Sequence, residues 1–389
     1  MTTLIPHRFV VAPSGFKESL SAEQAADAIV AGVRRVVPGA VVHYLPLVDG
    51  GEGSAATLAR ATGGHLVPLR VTGPVGDAVD SHIAVLGGPG PRTAVVEMAA
   101  AAGLRLVPRG LRDPGATTSY GVGELISAAL DAGARRILVG CGDSGTCDGG
   151  AGALQALGAR VCNALGEPVG RGGSALREVA SIDLDELDPR LREVEVLVAV
   201  NPYNVLCGER GVARVFGPQK GATPEQVELL STAMERWAKV LEHDLGPDLR
   251  TAAGSGASGG LGAGLAAGLG ARLLPRFEVM LDHVDLDAAL ADADLVLTAE
   301  GTLDEQTPRG KVPAEVARRA KRHGKPVIAL AGTIGVGAQV NYDAGIDAFA
   351  GILPGPIGLE AALSHGAEFL TDATERVLRL VLVGTAIAA

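Results

Sequence analysis

The chain has 389 residues, of which 47% are apolar, 20% charged and only 3% aromatic. That length gives about two to three domains at roughly 150 residues each, with a core that needs no disulfides or metals, and the composition excludes a disordered chain. Against 44 acidic residues the 34 Lys and Arg leave a net charge of −10, with no basic cluster interleaved with aromatics, so nucleic acid is excluded as a partner and a small molecule is expected.

The opening MTTLIPHRFVVAP lacks a basic stretch followed by a long apolar core and is not read as a signal peptide. An apolar run over Arg8 to Ala12, a helical pattern from Ala22 to Val37 and a second apolar run over Ala40 to Leu47 spell a βαβ unit, with Ser21 and Gln24 as a capping box. Residues 79 to 98 read as antiparallel strands joined by GGPGPR. A helix over 120 to 132, the strand RRILVG and a long polar helix over 223 to 243 follow. Residues 251 to 271 carry no charge and have the length of a membrane span, but Gly, Ala and Ser supply little transfer energy. A glycine-rich loop and a buried helix are expected there, and no membrane partner.

The βα alternation returns in DLVLTA (294 to 299), PVIALAG (326 to 332) and DAFAGIL (347 to 353), separated by helical segments around 313 to 323 and 359 to 383. Short apolar runs between helices imply a parallel sheet buried on both faces. The expectation is an α/β protein of two α/β domains. Residues 1–75 and 288–389 form a parallel-sheet domain built from both chain ends, and 76–287 form a second, mixed domain inserted between them. Cysteines at 141, 147, 162 and 207 show neither zinc-binding pairs nor a disulfide framework, so reduced thiols and a cytoplasmic location are expected.

The 55 glycines gather in loops that follow the expected strands, where ligands sit on open parallel sheets. These loops are APSGFKES (12 to 19), LVDGGEGS (47 to 54), GCGDSGTCDGGAG (140 to 152), FGPQKGA (216 to 222), GSGASGGLGAG (254 to 264) and TAEGTLDEQTPRGK (298 to 311). Glycine lets backbone amides approach phosphate oxygens, and Lys17, Lys220 and Lys311 could add point charges; a solvated lysine is the plain alternative for each. Carboxylates recur at Asp49, Glu52, Asp148, Glu300 and Asp304. Phosphoryl transfer needs acidic oxygens for Mg²⁺ and a base for the hydroxyl proton, although helix capping would equally explain Asp49 and Asp304.

The loop at 140 to 152 allows three readings. Gly140, Gly142 and Gly145 match GxGxxG after a strand, as in an NAD(P)-dependent reductase, but Thr146 to Gly150 intervene before any helix. Residues 142 to 145 spell GDSG, as at the nucleophile of trypsin-like proteases, which require a β-barrel and a preceding histidine base that an α/β chain does not offer. The third reading is a phosphate or substrate loop presenting Ser144, Thr146 and Asp148. There is no Walker A, since Glu305 lies five before Gly310 and Val312 follows Lys311.

Taken together the loops resemble the type I glycerate kinase family over essentially the whole chain. DGGEGS, TTSYGVGELI (117 to 126), DGGAG (148 to 152), FGPQKGA, GGLGAGL (259 to 265) and EGTLDEQTPRGK occur in the family's order. The resemblance implies ATP-dependent phosphorylation of a hydroxyl of glycerate, in most members giving 2-phosphoglycerate, with Mg²⁺. On this resemblance Lys17, Asp148 and Asp304 are expected to be catalytic, and Asp148 and Glu300 to hold the metal. Lys220, Gly259, Gly260, Gly262 and Lys311 would bind the nucleotide, and Ser14, Asp49, Glu52, Ser144, Thr146, Asn201 and Thr302 the acceptor.

Several positions depart from the family pattern. Ser14 and Glu18 replace Asp and Gly of PDSFKGSL, and Cys147 replaces Asn of GGSATNDGG. Asn201 and Tyr203 replace two Asp of CDVDNPL, and Thr302 replaces Arg of GEGRID. A carboxylate is best held by a bidentate arginine, whereas neutral groups suit a polyhydroxylated ring. A same-family kinase acting on a cyclitol or cyclitol phosphate is therefore the alternative to glycerate, and a reductase is the alternative of another class. The oligomeric state is left open, a homodimer included.

Overall fold

The computed structural model describes residues 5–16, 19–281 and 285–388. Among them the strands are β1 (Arg8–Val11), β2 (Val41–Tyr44), β3 (His65–Thr72), β4 (Ala78–Val85), β5 (Thr93–Glu97), β6 (Arg136–Gly140), β7 (Arg160–Asn163), β8 (Val179–Asp183), β9 (Glu195–Val200), β10 (Arg272–Pro275), β11 (Leu295–Leu303), β12 (Val327–Ile334) and β13 (Ala348–Gly351). The chain forms two compact units, one of residues 1–48 and 284–389 and one of 49–283.

The first unit carries a parallel sheet in the order β13-β12-β11-β1-β2. The apolar runs at both chain ends fill it. Phe9, Val11, Leu297 and Leu330 bury their side chains together with Ile29 and Val33 of helix Ala22–Val36 and Leu370 of helix Gly366–Ala388. The Ser21–Gln24 capping box forms in both directions, with Gln24 N donating to Ser21 Oγ at 3.1 Å and Ser21 N to Gln24 Oε1 at 2.9 Å. Gly32 lets the two helices approach closely, since a Cβ there would stand 2.6 Å from that of Thr374. From β1 the chain moves outward to β2, and from β11 it moves the other way to β12 and β13. The winding thus reverses between β1 and β11, the position where open α/β sheets bind ligands beyond their strand C-termini. The helix expected over 359 to 383 is two helices, Leu359–Ser364 and Gly366–Ala388.

The second unit carries a mixed sheet, β10-β9-β6-β5-β4-β3, with antiparallel pairing from β3 to β5 and parallel pairing from β5 to β10. β3 pairs with β4 along all eight residues, from His65↔Val85 to Thr72↔Ala78. That pairing draws 49 to 75 into this unit, so the chain leaves the first unit after Val48 rather than near 75. β9 and the β7–β8 hairpin lie outside the elements read from the sequence. The uncharged stretch is a buried helix, Ala257–Leu269, as expected, and no helix among the described residues is long and apolar enough to cross a membrane. A second apolar cluster surrounds Trp237 of helix Pro224–Leu245.

Candidate active site

In the 49–283 unit the candidate residues lie in the DGGEGS loop, the loop that follows β6, and the segments after β9 that hold Asn201, Lys220 and Gly259 to Gly262. The DGGEGS and GCGDSG loops touch through glycine backbone, because a Cβ on Gly142 would lie 2.6 Å from Gly51 Cα. Helix Ser54–Thr62 opens at Gly53, which has no side chain to cap it. Glu97, at the end of β5, supplies the cap instead, its carboxylate accepting from Gly53 N at 3.3 Å and from Ala55 N. Burial pushes the Glu97 carboxyl up to about 7 despite these two donors. Asp49 accepts from Arg276 Nη1 at 2.7 Å, and Glu52 pairs with Arg105 Nε at 2.9 Å.

Asp148 is fully buried. Its Oδ2 accepts from Ser119 N at 2.7 Å, Ser119 Oγ at 2.8 Å and Thr118 Oγ1 at 3.4 Å, and its Oδ1 accepts from Gly150 N at 3.2 Å. Burial raises its pKa against these donors. The carboxylate therefore ties TTSYG to the turn that starts helix Ala151–Ala156. Three protein donors crowd Oδ2 and the side chain is closed to solvent, so in this structure the carboxylate holds two loops together.

Lys220 ends the short 3-10 turn Pro218–Lys220 and is buried. Its ammonium donates to Ser144 Oγ at 2.9 Å and to Thr146 O at 2.6 Å, and burial lowers its pKa. No ion pair to a carboxylate accompanies those bonds among the described residues. The neighbouring Thr146 hydroxyl is shielded and unpartnered. Three sequence candidates are thus gathered at one buried cation.

Gly259 and Gly260 have φ of 74° and 91°, beside a non-glycine at φ 52°, Ser258. A Cβ on Gly259 would run into Thr146 O, one on Gly260 would lie 2.8 Å from Gly149 Cα, and one on Gly262 would stand 2.5 Å from Gly254 O. Gly259 and Gly260 let this loop lie against the loop after β6, while Gly262 packs on its own segment at Gly254. After β9, Asn201 Oδ1 accepts from Tyr203 N at 3.1 Å, closing a local turn.

The unit of residues 1–48 and 284–389 holds the other candidates, at the C-terminal ends of β1 and β11. Ser14 N and Oγ both donate to Ala299 O, at 2.9 and 3.0 Å. Glu300 is 6% exposed, accepts from Thr307 Oγ1 at 2.7 Å and lies 3.6 Å from Lys311 Nζ. The Lys311 ammonium also donates to Asp304 Oδ1 at 3.0 Å and to Thr302 O at 2.8 Å. Burial pushes the Glu300 carboxyl up to about 7, Lys311 opposing it. Asp304 Oδ1 additionally accepts from Gln306 N at 2.9 Å, closing a local turn. Lys17 lies outside the described residues.

Among the described residues no three His, Cys, Asp or Glu side chains stand together as a metal site. A nucleotide-bound Mg²⁺ takes only one or two protein carboxylates with phosphate oxygens, so Glu300 and Asp304, converging on one ammonium, have the donor chemistry for it.

A sequence expectation changes. Gly142 and Gly145 serve close packing, the latter with a Cβ position 2.8 Å from Val107 Cγ2, and the next helix opens only at Ala151, so the dinucleotide fingerprint is not formed. The neutral side chains of Ser14 and Asn201 each make one bond to backbone, the first donating to Ala299 O and the second accepting from Tyr203 N. Sequence reasoning also missed Glu97, Ser119, Arg105, Arg112 and Arg276. Their positions beside the glycine loops come from strand order.

The description "Glycerate kinase family" matches residues 9–382. The chain is 46% identical over 363 residues to "Glycerate kinase" of Bacillus subtilis (strain 168), covering 93% of this chain and 94% of that one. It is 41% identical to "Glycerate 2-kinase" of Escherichia coli (strain K12), covering 97% and 98%. A crystal structure of a protein assigned as glycerate kinase 2 from Salmonella typhimurium LT2 superposes with a TM-score of 0.77 at 45% identity, over 97% of this chain and 98% of that one. With strand order, glycine loops and near full-length identity in agreement, the chain belongs to the glycerate kinase family.

Proposed function

We propose that this chain is an ATP-dependent glycerate kinase that transfers a phosphoryl group to the 2-hydroxyl of glycerate. The observation that carries the reading is the identity of 46% and 41% to proteins named for that activity over more than nine-tenths of each chain. The geometry supports it from two sides. Phosphoryl transfer asks a protein for positioned charge rather than covalent chemistry. Lys220, buried beside Ser144 and Thr146, is a desolvated cation suited to a phosphoryl oxygen. Lys311 provides a second cation between Glu300 and Asp304.

In this reading Glu300 would hold Mg²⁺, which when bound neutralises phosphate charge, and Asp304 takes the proton of the acceptor hydroxyl. Asp148 holds the DGGAG turn. Gly259, Gly260 and Gly262 shape the loop beside Lys220, while Asp49, Glu52, Ser144 and Thr146 face the acceptor. The four cysteines are free and buried, which fits a reducing, cytoplasmic setting.

Release of ADP from MgATP with D-glycerate, followed by a pyruvate kinase and lactate dehydrogenase couple, tests the activity. Enolase added without a mutase reads 2-phosphoglycerate directly. Glycerate-dependent ADP release with enolase-competent product is expected. Turnover of inositol in preference to glycerate, or no release with either, would overturn the proposal.

A further inference from the structure

The segment between β5 and helix Tyr120–Asp131 docks onto the loop after β6. Leu104 N donates to Asp143 O at 2.8 Å, Gly145 N to Ala102 O at 2.8 Å and Thr117 Oγ1 to Gly145 O at 2.8 Å. Arg112 stands in this segment with its backbone pressed on the residue after Lys220, since a Cβ on Gly221 would lie 2.8 Å from Arg112 Cβ. Arg105, Arg112 and Arg276 are among the arginines that stand in or beside the strand-end loops of this unit. Arg105 is engaged by Glu52 and Arg276 by Asp49. Arg112 is half-buried, its Nε is shielded from solvent without an acceptor, and no hydrogen bond or ion pair engages it among the described residues.

A guanidinium carries five donors in a fixed fork and does not lose its proton, so a shielded Nε–H without an acceptor is a cost that a bound anion would relieve. Resting on the kinase reading above, we propose that Arg112, in the segment packed against the residue after Lys220, is the specificity-determining residue for the acceptor and pairs with the carboxylate of glycerate. The fork geometry favours the carboxylate for Arg112, because two parallel N–H donors match its two oxygens, whereas the ammonium of Lys220 is a point charge suited to phosphate. The neutral Thr302 leaves the carboxylate without an arginine at that position.

The test compares wild type with Arg112→Ala and Arg112→Lys in the full chain, using glycerate, glycerol and MgATP. Wild-type turnover of glycerate decides the kinase reading by itself, before any variant is considered. Given that turnover, Arg112→Ala should lower kcat/KM for glycerate on the order of 10²-fold, the loss of charge-assisted hydrogen bonds. The KM for ATP, and the turnover of glycerol, which lacks the carboxylate, relative to wild type, should stay unchanged. Arg112→Lys should recover only part of the loss, because an ammonium does not reproduce the fork.

Without ligand Arg112→Ala should melt close to wild type, since no hydrogen bond or ion pair of the guanidinium among the described residues is removed, while the shift produced by glycerate should vanish and that produced by MgATP remain. A raised KM for ATP with glycerate unaffected would assign Arg112 to phosphate and overturn the proposal. Equal constants for both substrates in either variant would overturn it as well, and Arg112→Lys decides the same point if the alanine variant does not fold.

Discussion

Glu97→Gln is the perturbation most directly worked from the structure. The carboxyl is 1% exposed and titrates near 7 rather than 4.5 because burial outweighs the two amides it caps. Between those values the folded state binds a proton that the unfolded state releases, so stability is fullest below about 4.5 and falls as pH rises to about 7. The gap, 7 − 4.5, is about 2.5 units, which at 1.36 kcal/mol each is about 3 kcal/mol. Asp148 moves in the same direction in both proteins, so the difference between them isolates Glu97. Urea unfolding followed by the fluorescence of Trp237, the single tryptophan, reports on this unit, because the ring is buried and donates to Gly149 O at 2.9 Å. Relative to Glu97→Gln, the wild type should lose about 3 kcal/mol more between pH 5 and pH 8. Equal pH slopes in the two proteins would refute the reasoning.

Lys220→Met should lower kcat/KM by about 10²-fold or more with far-UV circular dichroism unchanged, since the buried ammonium it removes has no carboxylate partner; wild-type kinetics would remove Lys220 from the site. Because Glu300 must be ionised to bind a cation and titrates near 7, kcat/KM should rise with pH through about 7 in the wild type. The same profile in an active Glu300→Gln variant would show that another group is responsible. Gly259→Ala forces a side chain onto Thr146 O at φ 74° and should cost about 1–3 kcal/mol in urea unfolding; an unshifted midpoint would mean the two loops are not packed as described.

How far the sequence could be read follows from which interactions are local. The strands of the first sheet, the Ser21 cap and the uncharged helix come from short-range pattern, and each forms where the pattern puts it. The point where the chain changes unit is non-local. It depends on β3 choosing β4, and the side-chain alternation of β3 alone carries no information about its partner. At the site the glycine loops were legible because glycine at positive φ is a strong local signal, but what each glycine serves was not. Gly259 and Gly142 answer to backbone from loops about a hundred residues away in the chain. Glu97 and Arg112 carried no signal at all, because nothing in VVE or LRD shows that one caps a helix 43 residues earlier or that the other meets no acceptor.

The departures from the family pattern gain a physical account from the same non-local contacts. Read as a set of neutral residues, Ser14, Asn201 and Thr302 suggest a site for hydroxyls. In the structure each is bound to its surroundings through backbone: Ser14 by way of Ala299 O, Asn201 by way of Tyr203 N, and Thr302 by its own carbonyl, which accepts from Lys311. An aspartate at 201 could close the same turn, so that exchange alters charge while leaving local geometry intact. At 302 an ammonium already sits on the carbonyl, and an arginine there would place a second cation next to it. Loss of the arginine at 302 thus removes a charge from a place where Lys311 supplies one, and Arg112, whose Nε is shielded without an acceptor among the described residues, lies in the other unit with its main chain against Gly221. Acceptor selectivity in this chain is therefore a question about that unit, to be read from the ratio of glycerate to glycerol turnover rather than from the residues at which the sequence departs.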